Sequence, residues 1–269
     1  MSDTPPSHAD AAPAAPPPST AVDAAPGEAQ AAADEHDRRD GHDALDSQID
    51  HDIDAAAADA APGSGSAPAP AARARKRPKP GERRVQILQT LATMLEQSGA
   101  ERITTAALAA RLAVSEAALY RHFASKAQMF EGLIEFIEQS VFTLVNQIVE
   151  RETDGRVQAR RIVVVLLQFG EKNPGMTRVM AGDALVFEHE RLLARMFQFF
   201  ERIESQLRQS LRAAADAAGS QTPTVDANVL ASVLTAYCGG RLQRYARSGF
   251  KRLPTEQLDA ALDLLLGPG

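Results

Sequence analysis

From Glu82 to Leu266 the apolar residues recur at intervals of three and four, and no stretch alternates with period two for long enough to argue a strand. Val85, Leu88, Leu91, Ala92 and Leu95 open the pattern, which pauses near Ser98-Gly99. Such a chain can bury its side chains only as helix against helix, so the expected fold is all-α. Thr104 and Thr105 are cap candidates for a short helix, Ala106 to Leu112, and Ser115 can cap a second one running to about His122. Ser125 then caps a long amphipathic helix from Lys126 to about Arg151. Further helices are predicted over Val157–Asn173, stopped by Pro174-Gly175, then over Met176–Ala184, Phe187–Ala218, Asp226–Ser248 and Thr255–Leu266.

The pattern does not extend to the first 72 residues, which are almost entirely Ala, Pro, Asp, Ser and Gly. A segment with hardly a large apolar side chain cannot offset its ordering entropy, so residues 1–72 are expected to be a disordered acidic extension. His36, His42 and His51 stand there among aspartates at spacings that match no metal-ligand pattern, so no metal is expected. The charge is divided accordingly. Residues 1–72 carry 14 acids and 2 Arg, whereas residues 73–269 carry 27 Lys or Arg and 21 acids, a net of +6. A basic body behind an acidic tail suggests an anionic partner such as nucleic acid. The single cysteine, Cys238, gives no internal disulfide and fits a reducing cytosol; beside Gly239-Gly240 it suggests close helix packing, at a dimer seam, more than thiol chemistry. No apolar run approaches the roughly 20 residues that a membrane span needs.

Between the two parts lies RARKRPKPGERR, Arg73 to Arg84, with seven Lys or Arg among twelve residues. It can be a solubilising linker, an import signal, or an arm that lies along DNA phosphates, with Arg83 and Arg84 at its end. The residues immediately C-terminal to it favour the arm. The two short helices, three or four residues apart and preceded by a first helix, have helix-turn-helix spacing, with the motif at about residues 104–123. Leu108, Leu112, Val114, Leu119 and Phe123 can close a small core beneath them, leaving Glu116, Ala117, Tyr120 and Arg121 on other sides of the second helix.

RITTAALAARLAVSEAALYRHFASKAQMFEGLIEFIE resembles the DNA-binding region of the TetR family of bacterial regulators. Tyr120, Phe123 and Lys126 occupy the family's tyrosine, phenylalanine and lysine positions. The resemblance implies that Thr104, Thr105, Tyr120 and Lys126 mainly position the protein on phosphates, while Ser115, Ala117 and His122 face base edges. It also implies a TetR-like architecture: a basic arm (73–80), an N-terminal three-helix helix-turn-helix domain (81–141) and a C-terminal helical dimerisation and partner-binding domain (142–269). One departure is Ala113, where the family usually has glycine in a left-handed turn; keeping that conformation would cost on the order of 1–2 kcal/mol.

The likeness continues through VQILQTLATMLE, FEGLIEFIEQS, LLQFGEKNPGMTRVMAGDALVFE and FERIESQLRQSLR, which resemble the nucleoid-occlusion branch of the family. That branch implies a homodimer bound to palindromic chromosomal sites that, when on DNA, antagonises assembly of the tubulin-like division protein FtsZ. No enzymatic activity, cofactor, membrane contact or inducing small ligand is implied, and the location is cytoplasmic, with the nucleoid. The corresponding FtsZ groove falls on Phe136, Leu144, Val165, Gln168, Lys172 and Asn173; Leu144 and Gln168 stand where that branch has arginine and glycine. On the residues alone Phe136 reads as core and Lys172-Asn173-Pro174-Gly175 as a helix stop with a cation at its C-terminus. The alternative is a TetR-type transcriptional repressor released by a small molecule, which would need a roomy pocket with a few convergent polar groups. An enzyme is the weakest reading, because adjacent Tyr120, Arg121 and His122 diverge on a helix. The dimer interface is expected on Asp226–Ser248 and Thr255–Leu266.

Overall fold

The computed structural model describes His51, residues 81–97 and residues 102–267. The extension over residues 1–72, His51 excepted, and the arm over residues 73–80 lie outside the described residues. Within them the chain forms α1 (Glu82–Leu95), α2 (Thr105–Arg111), α3 (Glu116–Tyr120), α4 (Lys126–Arg151), α5 (Gly155–Lys172), α6 (Pro174–Met180), α7 (Glu190–Ala217), α8 (Pro223–Arg247) and α9 (Leu258–Leu266). No strand occurs among the described residues. The fold is all-α.

Local chemistry sets most boundaries. Thr104 caps α2 by accepting from the Ala107 N–H, and Ser125 caps α4 by accepting from the Gln128 N–H at 3.2 Å. Asp154 caps α5 through the Arg156 and Val157 N–H groups at 2.7 and 3.2 Å. At the other end of α5, Asn173 closes the helix and Pro174 starts the next one, as the Asn-Pro-Gly stop predicts.

Three predicted helices are shorter than the periodicity suggests. Gly182, at φ 82°, ends the Met176–Ala184 segment and passes the chain into a single 3-10 turn, Asp183–Leu185. The predicted Phe187 start of the next helix moves to Glu190, where the Nδ1 of His189 accepts from the Arg191 N–H at 3.3 Å. Val186 and Phe187 are thereby left 61% and 65% exposed. In the last helix, the left-handed Gln257 (φ 56°) delays the start from Thr255 to Leu258.

The core of the C-terminal half is built on α5. Its Ile162, Val163, Val165, Leu166, Leu167 and Phe169 are fully buried, and α4, α7 and α8 pack around them. The start of α5 lies so close to α7 that a Cβ on Gly155 would sit 2.0 Å from the Ser210 carbonyl oxygen. Where α6 meets α1, a Cβ on Gly175 would sit 2.1 Å from the Ala92 carbonyl oxygen. Both contacts are backbone against backbone. The helix α9 lies on α5 of its own protomer: Arg160 pairs with Asp263 at 2.7 Å and Asp259 at 3.3 Å, and Leu258, Leu262 and Leu266 are buried. On its open side α9 keeps Leu264, 87% exposed, as the apolar residue it could offer to the expected dimer interface.

Cys238 is completely buried, and burial pushes its thiol up to about 12. Its glycine neighbours do not serve packing within the protomer: a Cβ on Gly239 or Gly240 would meet nothing within 4 Å.

Candidate nucleic-acid interface

The short helices α2 and α3 rest on a core of Leu108, Leu112, Leu119 and Phe123, joined by Ile87, Leu91 and Leu95 of α1. Val114 is half-buried at its margin. Leu119 is the buried residue of five-residue α3, which leaves Glu116, Ala117 and Tyr120 on the outside. The turn between them keeps the left-handed conformation although no glycine is present. Ala113 sits at φ 53°, and the Val114 N–H closes the turn on the Ala109 carbonyl at 3.0 Å. An alanine Cβ there costs on the order of 1–2 kcal/mol relative to the right-handed region.

Ser115, Ala117, Tyr120 (47% exposed) and His122 all stand on the surface. Ser115 has the N-cap position of α3 with extended backbone, but its side chain makes no capping hydrogen bond, contrary to expectation. Its hydroxyl is therefore not engaged by the helix it precedes. The two threonines differ from one another. Thr104 is exposed and accepts from Ala107, which leaves its hydroxyl proton available to a phosphate. Thr105 instead donates its proton to Oε2 of Glu116 at 2.6 Å. Without DNA, that hydrogen bond uses the Thr105 hydroxyl proton across the motif.

Three cations named from the sequence also have internal partners. Arg83 donates to the Gln86 side chain at 2.7 Å, and Arg84 donates to the His122 carbonyl at 3.1 Å with its guanidinium 4.1 Å from the Phe123 ring centroid. Arg83 and Arg84 are thus α1 residues, the second of them bracing the end of α3. Lys126 sits 5.6 Å above the Phe130 ring and pairs with Glu188, whose side chain is 9% exposed. Two further pairs continue along α4 and α7: Arg191 with Glu131 at 2.8 Å, and Arg195 with Glu138 at 2.6 Å. Glu138 and its neighbours Glu131 and Glu135 hold the Arg195 guanidinium above its usual pKa, chiefly through the hydrogen bond. Sequence reasoning assigned no role to Glu116 or Glu188. Only Glu116 left a signal, as the one acid between Arg102 and Ser125.

The six residues named for a partner groove divide sharply. Phe136 is half-buried with its ring centroid 6.5 Å from that of Phe169, and Gln168 and Lys172 are also half-buried. Leu144, Val165 and Asn173 are buried at 3%, 0% and 5% exposure, and Asn173 donates its side-chain N–H to the Phe169 carbonyl at 2.8 Å. Those three are corrected from surface contacts to interior supports, because the apolar faces of α4 and α5 close on one another there.

A cationic, exposed helix pair on a small core, followed by a larger helical bundle, defines a helix-turn-helix DNA-binding regulator rather than an enzyme. The family described as "Bacterial regulatory proteins, tetR family" matches residues 87–133, and "Tetracyclin repressor-like, C-terminal domain", of SlmA-like type, matches residues 153–267. Curated relatives named nucleoid occlusion factor SlmA, from Salmonella typhi and Escherichia coli O81 (strain ED1a), are each 54% identical over 184 residues, spanning 68% of this chain and 92% of the relative. Among solved structures, a TetR-like transcriptional regulator from Rhodococcus sp. RHA1 aligns with TM-score 0.56 at 20% identity, over 70% of this chain and 94% of that one. The regulator FadR from Bacillus subtilis, in complex with stearoyl-CoA, aligns with TM-score 0.55 at 12% identity, over 68% and 98%. The structural likeness carries the fold. The sequence likeness shows that the chain belongs to the SlmA family of TetR-type proteins. Among the described residues, no helix is long and apolar enough to cross a membrane.

Proposed function

We propose that this protein is a nucleoid occlusion factor: a homodimer that binds palindromic chromosomal sites and, on DNA, antagonises FtsZ assembly so that no septum forms over the nucleoid. The observation that carries the reading is the 54% identity to proteins of that name across nearly their full length, joined to an exposed helix-turn-helix. DNA contact falls to Thr104, Ser115, Ala117, Tyr120 and His122, with Lys126 released from Glu188 to meet a phosphate and Thr105 acting through Glu116.

Dimerisation draws support from an unpartnered apolar stripe on α8. Val225, Val229 and Val233 are 59%, 61% and 43% exposed, and Ala236 and Gly240 continue the same face at three- and four-residue spacing. Leu193 and Phe197 of α7 add a second exposed pair, at 41% and 66%. A glycine with open space at its Cβ lets another helix approach closely. Two copies joined there would present two α3 helices to the two halves of a palindrome.

FtsZ would lie over the seam of α4 and α5, where Phe136 offers an apolar anchor and Lys172 a cation, with Gln168 between them. The test is sedimentation of FtsZ polymers with the protein alone, with its selected DNA site, and with unrelated DNA. The expected outcome is a loss of pelleted FtsZ that depends on the specific duplex; unchanged polymer with the specific duplex bound would refute the FtsZ step.

A further inference from the structure

We propose that Glu116 reads a cytosine in the major groove and that Thr105 is the positioning residue that holds its carboxylate for the task; this rests on the DNA-binding reading above. Glu116 is the first residue of α3 and is exposed. It is the only acid from residue 102 to residue 125, a stretch that also carries Arg102, Arg111 and Arg121. A carboxylate on a face that approaches phosphates is repelled unless a donor awaits it. In the major groove guanine presents acceptors at N7 and O6, and thymine an acceptor at O4, so both repel it. Adenine sets a donor beside an acceptor and suits an amide better than a carboxylate. Cytosine presents its N4 amino group as a donor with no acceptor of its own beside it, which is the edge a lone carboxylate oxygen matches.

The hydrogen bond from Thr105 supplies the orientation. It occupies Oε2 at 2.6 Å and leaves Oε1 free to accept. Thr105 is the first residue of α2, whose start is itself fixed by the Thr104 cap at 3.1 Å. The bond has little left to do for the fold, because buried Leu108, Leu112 and Leu119 already set the two helices against each other.

The experiment is selection of duplexes from a random-sequence pool by the full chain and by Glu116→Gln and Thr105→Val, with affinity then measured on single-base variants of the selected site. Wild type should favour cytosine at one position in each half-site by about tenfold or more. Glu116→Gln should move that preference to adenine, since glutamine pairs with N6 and N7 together, and leave the other positions alone. Thr105→Val should keep cytosine with a reduced ratio. Variants that select the unchanged motif, with affinity lowered evenly on all sequences, would reduce the pair to a structural tie and overturn the proposal. A wild-type pool that stays random sinks the DNA-binding reading as well, so the two failures are distinct.

Discussion

The surface made by α2 and α3 and the surface made by α7 and α8 expose opposite chemistry. Around the short helices the large aliphatic residues are used up: Leu108, Leu112 and Leu119 are buried, as is Phe123, and the outer face carries arginines, hydroxyls, small alanines, Tyr120 and one carboxylate. The long helices α7 and α8 bury far more, yet they leave Leu193, Phe197, Val225, Val229 and Val233 in the open. Exposure has to be read against what a helix could have hidden. A five-residue helix with one inward position shows its polar side by necessity. A 25-residue helix with a valine every fourth residue on its open face has a second apolar surface that its own protomer does not cover.

If the contrast is right, damage to the two surfaces should separate. The largest effect is expected from Val229→Asp, which places a charge in the apolar stripe. Analytical ultracentrifugation should show monomer, and affinity for a two-half-site duplex should fall by about 10²-fold or more, with affinity for a single half-site unchanged. A dimer that survives this change would mean that the α8 stripe is not the seam.

At the charged end, Lys126→Ala should weaken DNA binding about tenfold and lower the salt slope by about 0.9, the loss of one phosphate contact. Glu188→Gln should do the opposite on affinity, raising it about threefold, because the carboxylate and the phosphate compete for one ammonium group. That gain should vanish in the Lys126→Ala background. A gain that persists there would mean that Glu188 acts only as a distant charge.

The smallest effect is expected at the turn. Ala113→Gly should stabilise the protein by about 1 kcal/mol, because glycine adopts the left-handed conformation without a Cβ penalty. Thermal melting should rise by about 2–4 °C. A lower melting temperature would show that the gain in unfolded-chain entropy outweighs the relieved strain.

Much of this was legible in the sequence where the signal is local. The span Lys126–Arg151 comes from the serine before it and a continuous apolar stripe. The inward positions of Leu119 and Phe123 come from their four-residue spacing. The start of α7 was not legible, because histidine is no usual cap and the periodicity runs on through Val186 and Phe187. Nor were the pairs that reshape the DNA face. Thr105 meets Glu116 across 11 residues and Lys126 meets Glu188 across 62, and such contacts exist only once helices have packed. Three of the six partner-groove positions were misplaced for a different reason. Resemblance supplies positions, but Leu144, Val165 and Asn173 lie on the closed side of α4 and α5.

The contact of Gly175 with the Ala92 carbonyl has one more implication. Side chains yield to load by changing rotamer, whereas peptide oxygen pressed against an α-carbon has no such slack. Helix α1, and with it the reading head, therefore meets the bundle main chain to main chain at this point. In the proposed dimer each head is then set on its own bundle by main chain, and the seam of α7 and α8 sets the rest of the gap between them. The protein would act as a fixed caliper on the duplex, gauging the distance between half-sites as well as their sequence.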